Sequence, residues 1–425
     1  MKNKIISKYK SKSEFTRNVL TLMTGTTIAQ AIPIAASPIL TRIYTPADFG
    51  VMALFVAITS IFGSISSGRY ELAIMLPKKE EDAINIFALG FILTTLLSLI
   101  LLILVILFND DIAKLLNNEE IRFWLFFIPV TVFFTGLFNI LTYYNIRKKK
   151  YKDIRSATII KSVISATVQL SIGFIQNGVT GLISGQIFSQ MFANMRLFKN
   201  ILKDKVLISG ISKVKIVAQA KRYKDFPKFS LWAVLANTLS GSLISILISS
   251  FFSLATLGFY SLVQRVLGLP TTLIGGSIGQ VFFQQVTKEK QETGKATNSF
   301  NGTVKKLFII GIPIFGVLFF LVEHLFAFVF GEEWRIAGVY AQILIPLVFI
   351  KFVSSTVSTI NTVFEKQKIG LYINILLLLT SITILYSSRL FNLDFSNFLF
   401  TLSLVLSLEY ALFLLYYYKL SKGTK

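Results

Sequence analysis

The sequence predicts an all-α polytopic membrane protein, with twelve transmembrane helices in two six-helix lobes related by a parallel repeat. Three observations predict it: an apolar composition, twelve apolar runs of helical length, and basic residues confined to one set of connections. Of 425 residues, 53% are hydrophobic and 15% charged, where water-soluble domains carry about 25% charge. The mean hydropathy is +0.67. The absence of cysteine removes disulfides, thiolate metal sites and cysteine nucleophiles. A single histidine, His324, leaves little for a His-rich metal site or a serine triad. No cofactor and no metal are expected, and the function read from this composition is not enzymatic.

Each run is long enough to cross a ~30 Å hydrocarbon core at about 1.5 Å per residue. The runs fall at 18–40, 50–76, 83–108, 123–145, 157–175, 179–195, 229–252, 257–285, 307–330, 336–363, 369–388 and 395–418. Barrel strands are ~10 residues long with alternating polarity, so continuous runs mean helices. The first run is too long, and too interrupted by Thr24, Thr26 and Gln30, for the core of a signal peptide.

Polar residues then sort the runs in order. The first carries Thr26, Gln30, Pro33 and Ser37 at helical spacing, and the second is dense in Ser60, Ser64, Ser66, Ser67, Arg69 and Glu71. The third, Leu89 to Phe108, is nearly all apolar and is expected to face lipid. The fifth holds Lys161 close enough to its end to snorkel to the interface. In the seventh, Thr238, Ser242, Ser245 and Ser249 recur beside Asn237. The eighth has Ser261, Arg265, Gly268, Thr272, Gly276 and Gly279 on one helical face, with Gln264 beside them. Glu323 and His324 lie in the outer third of the ninth, Lys351 near the middle of the tenth, and Glu409 in the twelfth, while the eleventh is again apolar. The first two helices of each half are therefore expected to line a wet interior. Close packing through small residues would produce the same serine and glycine stripes.

A buried Arg or Lys costs at least ~2.5–3.5 kcal/mol at the centre of a membrane helix, so each needs a pathway or a partner. Arg69, Arg265 and Lys351 lie too deep to reach a headgroup layer, and an interior holding them suits an anionic ligand. On a continuous helix Arg69 and Glu71 would lie about 200° apart, so they are not expected to pair. The alternative is structural ion pairing with Glu71, Glu323 and Glu409. Pro33 and Pro270 are hinge candidates, and Glu71 and Glu323 are speculative coupling groups.

Charge fixes the expected orientation. Thirty-four Lys and Arg residues fall in the connections on the N-terminal side of the membrane, against five (Arg42, Lys114, Arg122, Arg335 and Arg389) on the other side. By the positive-inside rule both termini are cytoplasmic. Most of the formal net charge of +22 is thus topology and contact with anionic lipid, and no nucleic-acid surface is needed. The longest polar connection, about Arg196 to Lys228, has six runs on either side and sets lobes of 1–206 and 207–425. At an offset of 208 residues, Pro46–Leu54 aligns with Leu254–Leu262, matching Ala47 with Ala255, Gly50 with Gly258 and Leu54 with Leu262. Parallel repeats of this kind are a transporter architecture.

The segment Ala35-Ala-Ser-Pro-Ile-Leu-Thr-Arg-Ile-Tyr-Thr-Pro-Ala-Asp-Phe-Gly50, followed by Ser67-Gly-Arg-Tyr-Glu-Leu-Ala-Ile-Met-Leu76, resembles the start of the Wzx-type O-antigen and capsule flippases. These form the polysaccharide transporter branch of the multidrug/oligosaccharidyl-lipid/polysaccharide exporter superfamily. Beyond the first ~80 residues the match is one of architecture more than motif. The resemblance implies transfer of an undecaprenyl-pyrophosphate-linked oligosaccharide between leaflets of the bacterial inner membrane, by alternating access of the lobes. On that reading Arg265, Arg69 and Lys351 attract pyrophosphate, and Gln30, Asn237, Gln264 and Thr272 contact sugar. Expected partners are the lipid-linked oligosaccharide, membrane lipids, and the polymerase and other polysaccharide assembly proteins. Two alternatives are a cation-coupled multidrug exporter of the same superfamily and a membrane polysaccharide polymerase or ligase. The first should show acids on the cavity helices; the second needs a longer outer loop than Asn109 to Arg122.

Overall fold

Backbone amides in hydrocarbon must find partners within their own segment, which leaves helices for runs of this length. The computed structural model describes residues 2–202 and 208–423, and among them no strand occurs. The main helices are α1 (Lys2–Ile43), α2 (Pro46–Ile65), α3 (Glu80–Leu115), α4 (Ile128–Arg147), α5 (Tyr151–Ile175), α6 (Thr180–Leu202) and α7 (Lys213–Arg222). They continue as α8 (Phe226–Phe251), α9 (Leu254–Thr293), α10 (Thr297–Phe330), α11 (Arg335–Val357), α12 (Gln367–Leu390) and α13 (Phe395–Ser421). Among the described residues, nine helices are long and apolar enough to cross a membrane: α2, α3, α5 and α8 through α13. The chain is a multi-pass membrane protein. The apolar sides of α3 and α12 are exposed, at Leu96, Leu99, Ile103 and Leu107 and at Leu371, Ile375 and Leu379. A kink at Phe108 (φ −125°, ψ 23°) marks where the apolar run of α3 gives way to Asn109, Asp110 and Asp111.

The chain divides into two compact units, residues 1–44 with 54–242, and residues 45–53 with 243–425. The expected lobe boundary at 206/207 lies outside the described residues. Residues 208–242 belong to the first unit because α7 is tied to the first turns of α3. Lys215 pairs with Glu81, Gln219 Nε2 donates to Asp82 Oδ1 (2.8 Å), and the Ser212 amide donates to Asn85 Oδ1 (3.0 Å). Within the same unit Tyr144, Ile84, Ile140 and Leu197 are fully enclosed.

The second unit holds the first turns of α2 because they cross α9 at backbone contact. Both helices start on a hydroxyl cap. The Asp48 amide donates to Thr45 Oγ1 (3.2 Å) and the Thr256 amide to Ser253 Oγ (3.0 Å). Thr45 and Ser253 are themselves 208 residues apart. A Cβ on Gly50 would stand 1.9 Å from the Leu254 carbonyl oxygen, and one on Gly258 would stand 1.8 Å from the Pro46 carbonyl oxygen. The offset of 208 turns each contact into the other. Trp334, fully buried, closes the crossing with its ring edge-on to Phe49 and to Phe259 (centroids 5.0 and 5.6 Å).

The second expected span, 50–76, is not one helix. Gly68 (φ 63°) and Arg69 (φ 64°) are both left-handed, so α2 ends at Ile65 and a short helix, Tyr70–Ala73, follows. Ser66-Ser67-Gly68 is a helix-stop signal, with glycine supplying a conformation that other residues resist. The tenth expected span is broken too, after Val357, before a short helix at Ile360–Val363.

Glycine positions give a direct test of the crossing. Gly50→Ala and Gly258→Ala are each expected to destabilise the detergent-solubilised protein by about 1–3 kcal/mol, because the obstacle is backbone and cannot move aside. Gly276→Ala, at a position with no described atom within 4 Å, is expected to leave the melting temperature unchanged or raise it, as Ala replaces Gly in a helix.

Candidate functional site

The predicted site residues divide between the units. Gln30, Pro33, Arg69, Glu71 and Asn237 belong to the first; Gln264, Arg265, Pro270, Thr272, Glu323 and Lys351 belong to the second. A cluster of three cations is thus a property of neither unit by itself.

Arg265 lies on the exposed side of α9. Val263 and Leu267 are buried on its other side, whereas Gln264, Arg265, Thr272 and Gly276 are exposed. No described atom lies within 4 Å of a Cβ built on Gly268 or Gly276, so over this length the small residues do not pack against another helix. Packing uses a neighbouring face: a Cβ on Gly275 would meet Thr356 Oγ1 at 2.9 Å and the Phe352 ring at 3.4 Å. The Arg265 guanidinium stands 5.9 Å from the centroid of the Phe49 ring, on the first turn of α2. Thr272 donates to the Leu269 carbonyl (3.1 Å), which leaves its oxygen able to accept from a ligand.

Between Arg265 and Thr272, Pro270 opens a π-helical turn, Thr271–Gly275. Proline has no amide to donate to the carbonyl one turn back, and the widened turn absorbs that defect. Pro33, by contrast, sits in continuous helix, and its carbonyl accepts from Ser37 Oγ (2.6 Å).

Lys351 is one of the few exposed residues of α11, in the most buried of the nine membrane-length helices. It makes no ion pair among the described residues. On α8, Asn237 is exposed and Gly241, one turn on, faces open space, while Ser242 and Ser249 are buried. The outward face is therefore the asparagine side and not the serine row. Gln30 is half-buried on α1.

Arg69 differs from its expectation. Because the backbone is left-handed at Arg69, its guanidinium turns onto Glu71, with Nη1 to Oε1 at 2.7 Å. Glu71 is 2% exposed and also accepts from Ser67 Oγ. The pair expected to lie on opposite sides of a helix is a buried ion pair, and Arg69 neutralises Glu71 at close range. Glu323 is similarly engaged: Arg335 reaches its Oε1 (3.2 Å) while also holding Glu332. His324 beside it is exposed. Lys161 is half-buried, with its ammonium 5.4 Å from the Phe138 ring. Glu409 Oε1 accepts from Thr380 Oγ1 (2.6 Å).

Sequence reasoning missed a polar network inside the first unit. Gln190 Nε2 donates to Thr135 Oγ1 (3.0 Å) and Asn194 Nδ2 to the Phe134 carbonyl (2.8 Å). Asn200 joins Asn145 (2.6 Å) to Asp153 (2.9 Å), which also pairs with Arg196. The amides at 190, 194 and 200 on α6 carry no charge and recur without a strict helical period, so nothing marked them.

Residues 39–338 match the family described as polysaccharide biosynthesis protein. Over 336 residues the chain is 20% identical to the succinoglycan biosynthesis transport protein ExoT of Rhizobium meliloti (strain 1021), a match covering 76% of this chain and 64% of that one. The chain thus spans less than two thirds of the curated relative's length. Among solved structures, it is similar to the lipid II flippase MurJ in an inward closed conformation, with a TM-score of 0.73, 15% identity, and coverage of 94% of this chain and 87% of that one. It is also similar to an inward-facing multidrug resistance MATE family transporter of the MOP superfamily, with a TM-score of 0.63, 11% identity, and coverage of 94% and 93%. At these identities the likeness is one of fold.

The Arg69–Glu71 pair is testable by a double-mutant cycle. Arg69→Gln is expected to cost about 3 kcal/mol of stability, since it strands a buried carboxylate. Arg69→Gln combined with Glu71→Gln is expected to recover most of that loss. Thermal unfolding of the four proteins in one detergent measures both effects.

Proposed function

The chain belongs to the polysaccharide biosynthesis protein family, and from that premise we propose that it is a flippase for a lipid-linked oligosaccharide. It moves an undecaprenyl-pyrophosphate-linked repeat unit, of O-antigen or capsule type, from the cytoplasmic to the periplasmic leaflet of the inner membrane. Twelve spans in two six-helix lobes, with both termini cytoplasmic, carry the movement by alternating access. This count takes α1, α4 and α6 as crossing helices in addition to the nine. The reciprocal contacts of Gly50 and Gly258 support the parallel repeat, as does the pair of hydroxyl caps.

The observation that carries the proposal is the exposed stretch of α9, where a cation stands beside Gly268 and Gly276, two positions that face open space among the described residues. A diphosphate cannot enter hydrocarbon with its charge unpaired. Arg265 provides a planar fork of donors that matches phosphate oxygens. Lys351 adds a second cation, and Gln264, Thr272, Asn237 and Gln30 offer amide and hydroxyl contacts to sugar. Arg69 acts at one remove, by keeping Glu71 neutralised, and the π-turn at Pro270 supplies the bending point. No bond is made or broken. The pairing of Glu71 and Glu323 with arginines leaves neither acid available to attract a cationic drug, which favours the anionic cargo over multidrug export.

Leaflet translocation of the lipid-linked unit, measured in cells at normal protein levels, tests the assignment. Arg265→Ala is expected to abolish transfer and Arg265→Lys to reduce it about tenfold or more, since an ammonium lacks the bidentate geometry. Wild-type rates in both variants would overturn the site.

A further inference from the structure

The first unit contains a cavity that the proposed transport does not use. It encloses about 320 Å³ beside the start of α3, and every residue lining it is apolar, among them Ile84, Phe91 and Ile92 of α3, Ile201 of α6, and Ile211 and Ile216 at α7. At ~30 Å³ per water-sized group, it holds about ten such groups. With no polar lining it gives water no partners, so its natural occupant is hydrocarbon. Ile92 (49% exposed) and Leu202 (53% exposed) border it and remain open to the surroundings.

The helix that covers this cavity is basic and two-faced. Ile216, Gln219 and Ala220 of α7 turn toward the bundle, and Tyr70 OH donates to the Ala220 carbonyl (3.0 Å), which holds that face down. Val214, Val217 and Lys221 are exposed on the opposite face, and Lys213, also exposed, stands one turn before Ile216 on the flank nearer the cavity. From Lys213 to Lys228 there are six Lys or Arg residues and one acid, Asp225. Lys215 is occupied by Glu81, but Lys213 and Lys221 make no ion pair among the described residues. Cations beside exposed valines are the pattern of a helix lying in a membrane interface, where phosphates meet acyl chains.

We propose that this cavity is a binding site for an anionic glycerophospholipid, with one acyl chain between α3, α6 and α7 and its phosphate on the lysines of α7. At about ten chain carbons the cavity takes the larger part of one acyl chain but only a small fragment of a polyprenyl chain, and the positive helix selects a headgroup that carries net negative charge. The bound lipid fastens α7, and with it the connection into α8, to the membrane surface.

Native mass spectrometry of the full-length protein, delipidated and titrated with phosphatidylglycerol, with phosphatidylcholine of the same acyl composition, or with polyprenyl phosphate, tests the site. One phosphatidylglycerol is expected to be retained about tenfold more strongly than phosphatidylcholine. Ala88→Trp, which fills the cavity, is expected to abolish that retention. Lys213→Gln with Lys221→Gln, both exposed, is expected to remove the headgroup preference while the protein stays folded, and this pair stands on its own if Ala88→Trp does not fold. Equal retention of the two phospholipids, unchanged retention in a folded Ala88→Trp, or stronger retention of polyprenyl phosphate would each overturn the proposal.

Discussion

An ionised side chain surrounded by hydrocarbon costs several kcal/mol, and that constraint decides what each charge in this chain can be. Glu71 is closed off by Arg69 and Ser67, the half-buried Glu323 is paired with Arg335, and Glu409 is bonded through one oxygen by Thr380 while its other oxygen, buried, has no hydrogen-bond partner among the described residues. Lys161 lies against the face of an aromatic ring. Each of these groups has a contact within its own unit. Arg265 and Lys351, both in the second unit, are exposed, and Arg265 has the Phe49 ring 5.9 Å from its guanidinium. Exposure together with charge is what makes these two the candidate anion-binding groups.

The second organising contact is the crossing of α2 and α9. Two glycines 208 residues apart bring backbone against backbone, leaving no room for a Cβ at either place. The crossing also explains why α2 is divided: its first turns follow α9 and Trp334, while its remainder packs with the first unit, where a Cβ on Gly63 would meet Thr135 at 2.8 Å. Helix α2 passes from the second unit into the first between Ala53 and Leu54. It ends at Ile65, immediately before the turn that forms the Arg69–Glu71 pair.

Much of this was legible in the sequence, for physical reasons that differ by residue. Apolar runs report helices directly, because hydrocarbon leaves the backbone no other choice. The Gly50 and Gly258 alignment was visible as a weak similarity, but only the structure shows that the matched positions touch one another's helices. The break after Ile65 was hidden by treating 50–76 as one apolar run, although Ser66-Ser67-Gly68 carried the stop signal. Without that break Arg69 could not be seen to meet Glu71, since ion pairing two residues apart is a property of turns and not of helices. Helix α7 was hidden by its charge. Its lysines read as an orientation signal, while Ser212 followed by Val214, Ile216, Val217 and Ala220 carried a cap and an apolar rhythm beneath them.

Several of the basic residues are also placed by contacts within the first unit. On the side of the membrane holding α7 and the start of α3, Arg147 and Lys148 pair with Glu80, and Lys215 with Glu81. Acids in the first turn of α3 favour that helix through its dipole, and they also gather bases from two connections far apart in sequence. Pairing at this edge consumes only part of the basic excess. On α7, Lys213, Lys221 and Arg222 stay exposed beside valines, next to an apolar cavity. A purely topological charge needs no such placement; a charge that meets lipid phosphate does.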